Sequence, residues 1–133
     1  MKNFATFDAA FPDRPETDPE GEVVRAGGYE LAVAIAQLLA TILPVVDRPK
    51  EHSWYGWQIA ASDHDRQYWL MLQRSDQWLL IAEDRTGLLR RMRSSTRLPA
   101  ILEKLARRFA EDRRFSNVSW LTKEDFEKGA SSG

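Results

Sequence analysis

Residues 54–83 read WYGWQIAASDHDRQYWLMLQRSDQWLLIAE, three apolar and aromatic runs separated by DHDR and SDQ. Runs of this kind, broken by short polar tips carrying Asp and Ser, are the pattern of a three-stranded antiparallel meander. Four of the five Trp and two of the three Tyr fall in this stretch, so the rest of the chain reads as structure laid against that sheet. In the first run Tyr55, Trp57, Ile59 and Ala61 alternate with Trp54, Gly56, Gln58 and Ala60, and the first set reads as the core face. In the second, Tyr68, Leu70 and Leu72 oppose Trp69, Met71 and Gln73; in the third, Leu79 and Ile81 oppose Trp78 and Leu80. Both faces are apolar, which a sheet covered on one side does not require. The second face is therefore either covered by the chain's ends or an interaction surface.

Upstream, residues 1–27 combine Pro12, Pro15 and Pro19 with Gly21 and several carboxylates, a composition that cannot sustain a helix or a central strand. It reads as an extended acidic arm. Phe4, Phe7 and Phe11 would pin its first half to the domain surface, because each ring left in water forgoes about 1.5–3 kcal/mol. From Tyr29, the residues Leu31, Ala34, Ile35, Leu38, Leu39 and Ile42 recur at the spacing of one helical face, with Gly27 and Gly28 before and Pro44 after. Downstream of the meander, Asp84-Arg85-Thr86-Gly87 is a turn and LLRRM after it reads as a short fourth strand or the opening of a helix, with strand favoured. Ser94, Ser95 and Thr96 offer caps to a second helix whose face is Leu98, Ile101, Leu102, Leu105 and Phe109. Residues 117–121 form a short last strand, and Thr122 caps a helical turn, KEDFEK, with Asp125 three residues on. Residues 129–133, GASSG, have the composition of a disordered tail.

The expected architecture is a single α+β domain over residues 28–128. A three- to four-stranded antiparallel meander carries two main helices on one face, with a short C-terminal strand and helical turn. A chain of 133 residues supports one core and not two.

The net charge of −1 points to no partner class, but its distribution is uneven. Residues 1–30 hold seven acidic against three basic residues, and residues 85–114 hold ten basic against three acidic. Without Cys, disulfide and thiolate chemistry is excluded and a reducing, cytoplasmic setting is the simpler expectation. The N-terminus lacks the apolar core of a secretory signal, and no apolar run nears the ~20 residues that span a bilayer.

Phosphate-cradling, nucleophile-elbow, dinucleotide and zincin motifs are all missing. Asp63-His64-Asp65 places an imidazole between two carboxylates, but it occupies a hairpin tip, where polar residues serve the turn. His52 lies at the far end of the first strand from His64, so a two-His metal site is disfavoured. No catalytic residue, metal or cofactor is expected. Trp and Tyr on strands beside arginines also suit single-stranded nucleic acid, where bases stack on rings; the acidic arm opposes a phosphate field, and that reading stands second to protein binding.

The order arm, helix, WYGWQI, YWLMLQ and WLLI strands, helix, then NVSWLTKEDF resembles small uncharacterised bacterial proteins of α-β-β-β-α type, some of them similar to immunity proteins of polymorphic toxin systems. The likeness spans most of residues 29–128. It implies a cytoplasmic, non-enzymatic protein that binds and blocks a cognate toxin. A secretion or effector chaperone-adaptor and a single-stranded nucleic-acid binder are the alternatives. If a protein partner docks, the expected surface is Trp54, Trp69 and Trp78, rimmed by Asp63, Asp65 and Arg66 and by Arg90, Arg91 and Arg93. Aromatic anchors within a polar rim are the usual composition of a binding hot spot.

Overall fold

A computed structural model describes residues 1–11, 16–25, 27–52, 56–64, 66–86 and 97–132. The fold is α+β. The elements of the main sheet are β1 (Phe4–Ala9), β4 (Val45–Val46), β5 (Lys50–His52), β6 (Gly56–Asp63), β7 (Arg66–Arg74), β8 (Trp78–Asp84) and β9 (Phe115–Leu121). They form one antiparallel sheet in the order β4-β6-β7-β8-β1-β9, with β5 also on β6. Two short strands, β2 (Glu16–Thr17) and β3 (Val23–Arg25), pair separately. The helices are α1 (Tyr29–Ala40), α2 (Arg97–Glu111) and α3 (Lys123–Ser132).

The meander β6-β7-β8 stands where the alternating aromatic runs place it. Its tips set the register: Asp63 opposes Arg66 at the end of one hairpin, and residues 75–77 close the next so that Arg74 opposes Trp78. In that second tip Ser75 N–H donates to Gln77 O at 2.8 Å. Opposite residues share a face, so Trp78 joins Leu72 and Leu70 on the core side. This corrects the expected phase of β8. Trp78, Leu80 and Ala82 belong to the main core, while Leu79 and Ile81 face the other way.

Both long helices cover that core face, α1 against β6 and α2 against β9. Leu31, Ala32, Ile35 and Leu39 of α1 and Leu98, Ile101, Leu102, Leu105 and Phe109 of α2 are buried, on the spacing that predicts one apolar stripe each. Trp57 Nε1–H donates to Gly27 O at 3.0 Å, fixing the entry to α1 on the sheet.

The N-terminal half is not a surface arm. Phe4–Ala9 is an interior strand, paired with β8 on one side and β9 on the other. Ala5 and Phe7 are fully buried, and Phe7 meets Phe109 and Phe115 at centroid distances of 5.4 and 5.6 Å. The prolines that argued against a strand all lie beyond Ala10, so their veto never applied to FATFDA. The C-terminal turn is a full helix, continuing through Ser132 where a disordered tail was expected. Its Phe126 lies 5.3 Å from Phe4 on the second sheet face, where Met71 and Leu79 are also buried. The suggested fourth strand, LLRRM, lies outside the described residues.

Gly28 begins α1 with φ 90°, and a Cβ there would stand 2.5 Å from the Trp78 ring. A side chain is opposed twice, by the left-handed backbone and by the indole. Gly28→Ala is expected to cost about 2–4 kcal/mol in urea unfolding, and a loss under about 1 kcal/mol would show that neither constraint binds.

Candidate functional site: the outward sheet face around Trp69

Trp69 lies on the face of β7 turned away from α1 and α2, opposite Ala60 of β6 and Glu83 of β8. It is half-buried. Its ring is held from three sides: Nε1–H donates to Gln58 Oε1 at 3.0 Å, the Arg85 guanidinium stacks 4.0 Å from the ring centroid, and the His52 ring meets it edge-on at 6.2 Å. Arg85 is itself oriented by donating from Nε to Glu83 Oε2 at 3.0 Å, and by its backbone N–H bonding Gln67 O at 2.7 Å. An aromatic ring locked this way presents a large contact surface with little rotamer entropy left to lose.

Beside the ring runs a groove of about 310 Å³. Ala60, exposed opposite Trp69, leaves its floor open, and Val45, Asp47, Ser62, Gln67 and Arg85 form its walls. Val45 is 52% exposed, the apolar end of a rim that otherwise carries one carboxylate, one guanidinium and neutral hydrogen-bonding groups.

The residues expected to act together are distributed otherwise. Trp54, Asp65, Arg90, Arg91 and Arg93 lie outside the described residues. Trp78, at 3% exposure, is on the opposite face of the sheet beneath Gly28, with the Arg74 guanidinium 5.0 Å from its ring; the odd-length tip at 75–77 turns it inward. Asp63 and Arg66 oppose each other at the end of the β6-β7 hairpin, in phase with the core face and not with Trp69. Arg66 is only 9% exposed and reaches Asp84 Oδ2 at 3.4 Å, so it is an internal tie. His64, with φ 53° and an exposed side chain 3.4 Å from Asp63 Oδ1, serves the turn. Arg85, Gln58 and Asp47 are the site residues that sequence reading missed. Arg85 sits one residue past β8, in phase with Glu83 and Ile81, and that parity becomes visible only once the 75–77 tip is counted correctly.

The titrating groups serve structure. Burial pushes Asp84 up, but side-chain and backbone hydrogen bonds from Thr86 and the Arg66 charge outweigh it and hold the carboxyl below its ordinary 3.8. Asp8 is held low by Asn117 and Gln77, which donate to its two oxygens at 2.7 and 3.3 Å. Asp112 is held low by Arg114. A general acid requires the opposite displacement. Burial raises the Tyr68 phenol, which keeps it neutral near pH 7. Among the described residues no three His, Asp or Glu side chains converge as a metal site, and no helix is long and apolar enough to cross a membrane.

Because the folded-state pKa of Asp84 lies below the unfolded value near 3.8, its contribution is present above about pH 4 and is lost as pH falls through the lower folded value. Asp84→Asn should cost about 1–3 kcal/mol at pH 7 and shrink the stability difference between pH 7 and pH 3; an unchanged difference would remove Asp84 from the acid response. The two tryptophans should separate cleanly in denaturant titrations. Trp78→Ala is expected to lose about 3–5 kcal/mol and Trp69→Ala no more than about 1.5 kcal/mol, and equal losses would contradict their opposite placements. The chain matches no protein-family model, and no curated protein or solved structure matches it either.

Proposed function

We propose that this chain is a non-enzymatic protein-binding module that docks a partner protein on the outward sheet face around Trp69, in the manner of an immunity or antitoxin-type inhibitor of a bacterial toxin. The observation that carries the reading is the half-buried indole fixed by Gln58, Arg85 and His52 beside an open groove. An anchor ring already immobilised, next to a recess that a partner side chain can enter, is the composition of an interface hot spot. The downward-shifted carboxyls and neutral Tyr68 give no support to an acid–base catalyst. Asp47 and Glu83 beside the ring count against a phosphate backbone as the ligand.

The reading is tested with the protein encoded next to this one, co-expressed and copurified. Trp69→Ser and Arg85→Glu should keep the far-ultraviolet circular dichroism of the parent and lose the complex, with a rise in Kd of about thirtyfold or more, equivalent to about 2 kcal/mol. Retention of full affinity by both variants would place the interface elsewhere. A labelled single-stranded RNA or DNA retained at about 50 mM salt and released steeply as salt rises would instead favour the nucleic-acid alternative.

A further inference from the structure

The outward face around Trp69 is a lattice whose rows follow from the strand register. Val45 opposes Ser62 and Val46 opposes Ala61, and Asp47 N–H donates to Ala60 O at 2.9 Å, so Asp47 continues the alternation opposite Ala60. Val46 packs on the core side; its neighbours Val45 and Asp47 therefore turn outward. Ala60 opposes Trp69, and Trp69 opposes Glu83, which sets one row: Asp47, Ala60, Trp69, Glu83. The next row is Val45, Ser62, Gln67 and Arg85, since Ser62 opposes Gln67 and Arg85 N–H donates to Gln67 O.

In both rows β6 contributes the smallest side chains. Two strand spacings, about 10 Å, separate the Asp47 and Trp69 backbones, and only the Ala60 methyl stands between them. Ser62 leaves the corresponding gap between Val45 and Gln67. The recess is thus the space of a side chain that β6 does not supply, with the exposed Val45 on one flank and the fixed indole on the other. Its polar lining offers acceptors to a cation: the Asp47 carboxylate, the Ser62 hydroxyl and the Gln67 amide oxygen. The charges are unequal. Arg85 is committed to Glu83 at 3.0 Å and to the face of the indole, whereas Asp47 is exposed and has no ion pair among the described residues. The uncompensated charge lining the recess is therefore negative.

We infer that the recess takes a lysine side chain, its methylene stem laid over Ala60 between Val45 and Trp69 and its ammonium on Asp47, Ser62 and Gln67. The assignment rests on the docking of a protein partner proposed above and names the residue of that partner that enters. An apolar stem ending in a compact charged head matches apolar flanks that lead to acceptors. A carboxylate would meet Asp47 as a like charge, with Arg85 already held by Glu83. Arginine presents its donors as a planar fork suited to two coplanar acceptors; a carboxylate beside a hydroxyl and an amide oxygen suits the three rotatable donors of an ammonium better.

The probe is Nα-acetyl-lysine N-methylamide, titrated into the isotopically labelled full chain at about 20 mM salt, where an exposed charge pair is little screened. The norleucine, arginine and glutamate analogues are run alongside. The indole N–H resonance of Trp69 reports the recess, and those of Trp57 and Trp78, both buried on the core side, are internal controls. Lysine is expected to move the Trp69 signal and neither control, binding about fivefold more tightly than norleucine and more tightly than arginine or glutamate. Asp47→Asn should erase the advantage over norleucine while keeping the parent circular dichroism, because the Asp47 bond to Ala60 is made by the backbone. Equal binding of lysine and norleucine, tighter binding of arginine or glutamate, or no movement of Trp69 up to about 50 mM lysine probe, too weak for an anchor, overturns the inference. The copurified complex separates this assignment from the docking on which it rests. A complex lost in Trp69→Ser but indifferent to Asp47→Asn, with no lysine preference in the titration, removes the lysine and leaves docking at Trp69 standing. A lysine preference that vanishes in Asp47→Asn, in a chain whose complex survives Trp69→Ser, supports the recess as an ammonium site and overturns the docking.

Discussion

Arg74 opposite Trp78 is the pairing on which the rest of the molecule depends. The 75–77 tip fixes the parity of β8, and with it which of two equally apolar sets enters the core. With Trp78 inward, its indole occupies the space beside Gly28, and the start of α1 is held between that ring and Trp57, whose Nε1–H bonds Gly27 O. A slip of one residue would expose Trp78, Leu80 and Ala82 and press Leu79 and Ile81 under the helices. The same parity sends Glu83 and Arg85 to the outward face, where Arg85 meets Trp69. One tip thus determines both the seat of α1 and the composition of the candidate binding face.

The second organising feature is the insertion of Phe4–Ala9 between β8 and β9. It ties the two ends of the chain into one sheet and supplies Phe7 to an aromatic cluster with Phe109 and Phe115, the last two stacked at 4.3 Å and 9°. Ring contacts of this kind add about 0.5–1.5 kcal/mol each beyond area burial. Phe4 faces the other side and receives Phe126 from α3. The sheet is therefore covered on both faces near β1 and open near Trp69, which explains why both sets of side chains along the meander are apolar.

The open part of the outward face and the open edge of β9 are different kinds of surface. The first offers a fixed ring beside a recess and suits a protein partner of complementary shape. The second offers backbone groups, those of Val118 and Trp120, that point out of the sheet. Neither requires a conformational change in the chain as described.

The sequence by itself determined the meander, the two amphipathic helices and their buried stripes. Each rests on a local periodicity, 2 for Trp57-Ile59-Ala61 and 3.6 for Leu98-Ile101-Leu102-Leu105-Phe109, that survives whatever surrounds it. It also marked Trp69 as an outward residue, since the Tyr68-Leu70-Leu72 phase agrees with its neighbours. It did not determine the phase of β8, because Trp78-Leu80-Ala82 and Leu79-Ile81 are both apolar and periodicity cannot choose between them; the loop register chose. Nor could it place Phe4–Ala9, whose partners are Trp78 to Ile81 and Phe115 to Leu121. Strand pairing over such separations is set by which edges remain unfilled after the local elements form. The position of Arg66 was decided in the same way. A charged residue in a hairpin reads as solvated, and only the approach of Asp84, itself partly buried on the neighbouring strand, turns Arg66 inward.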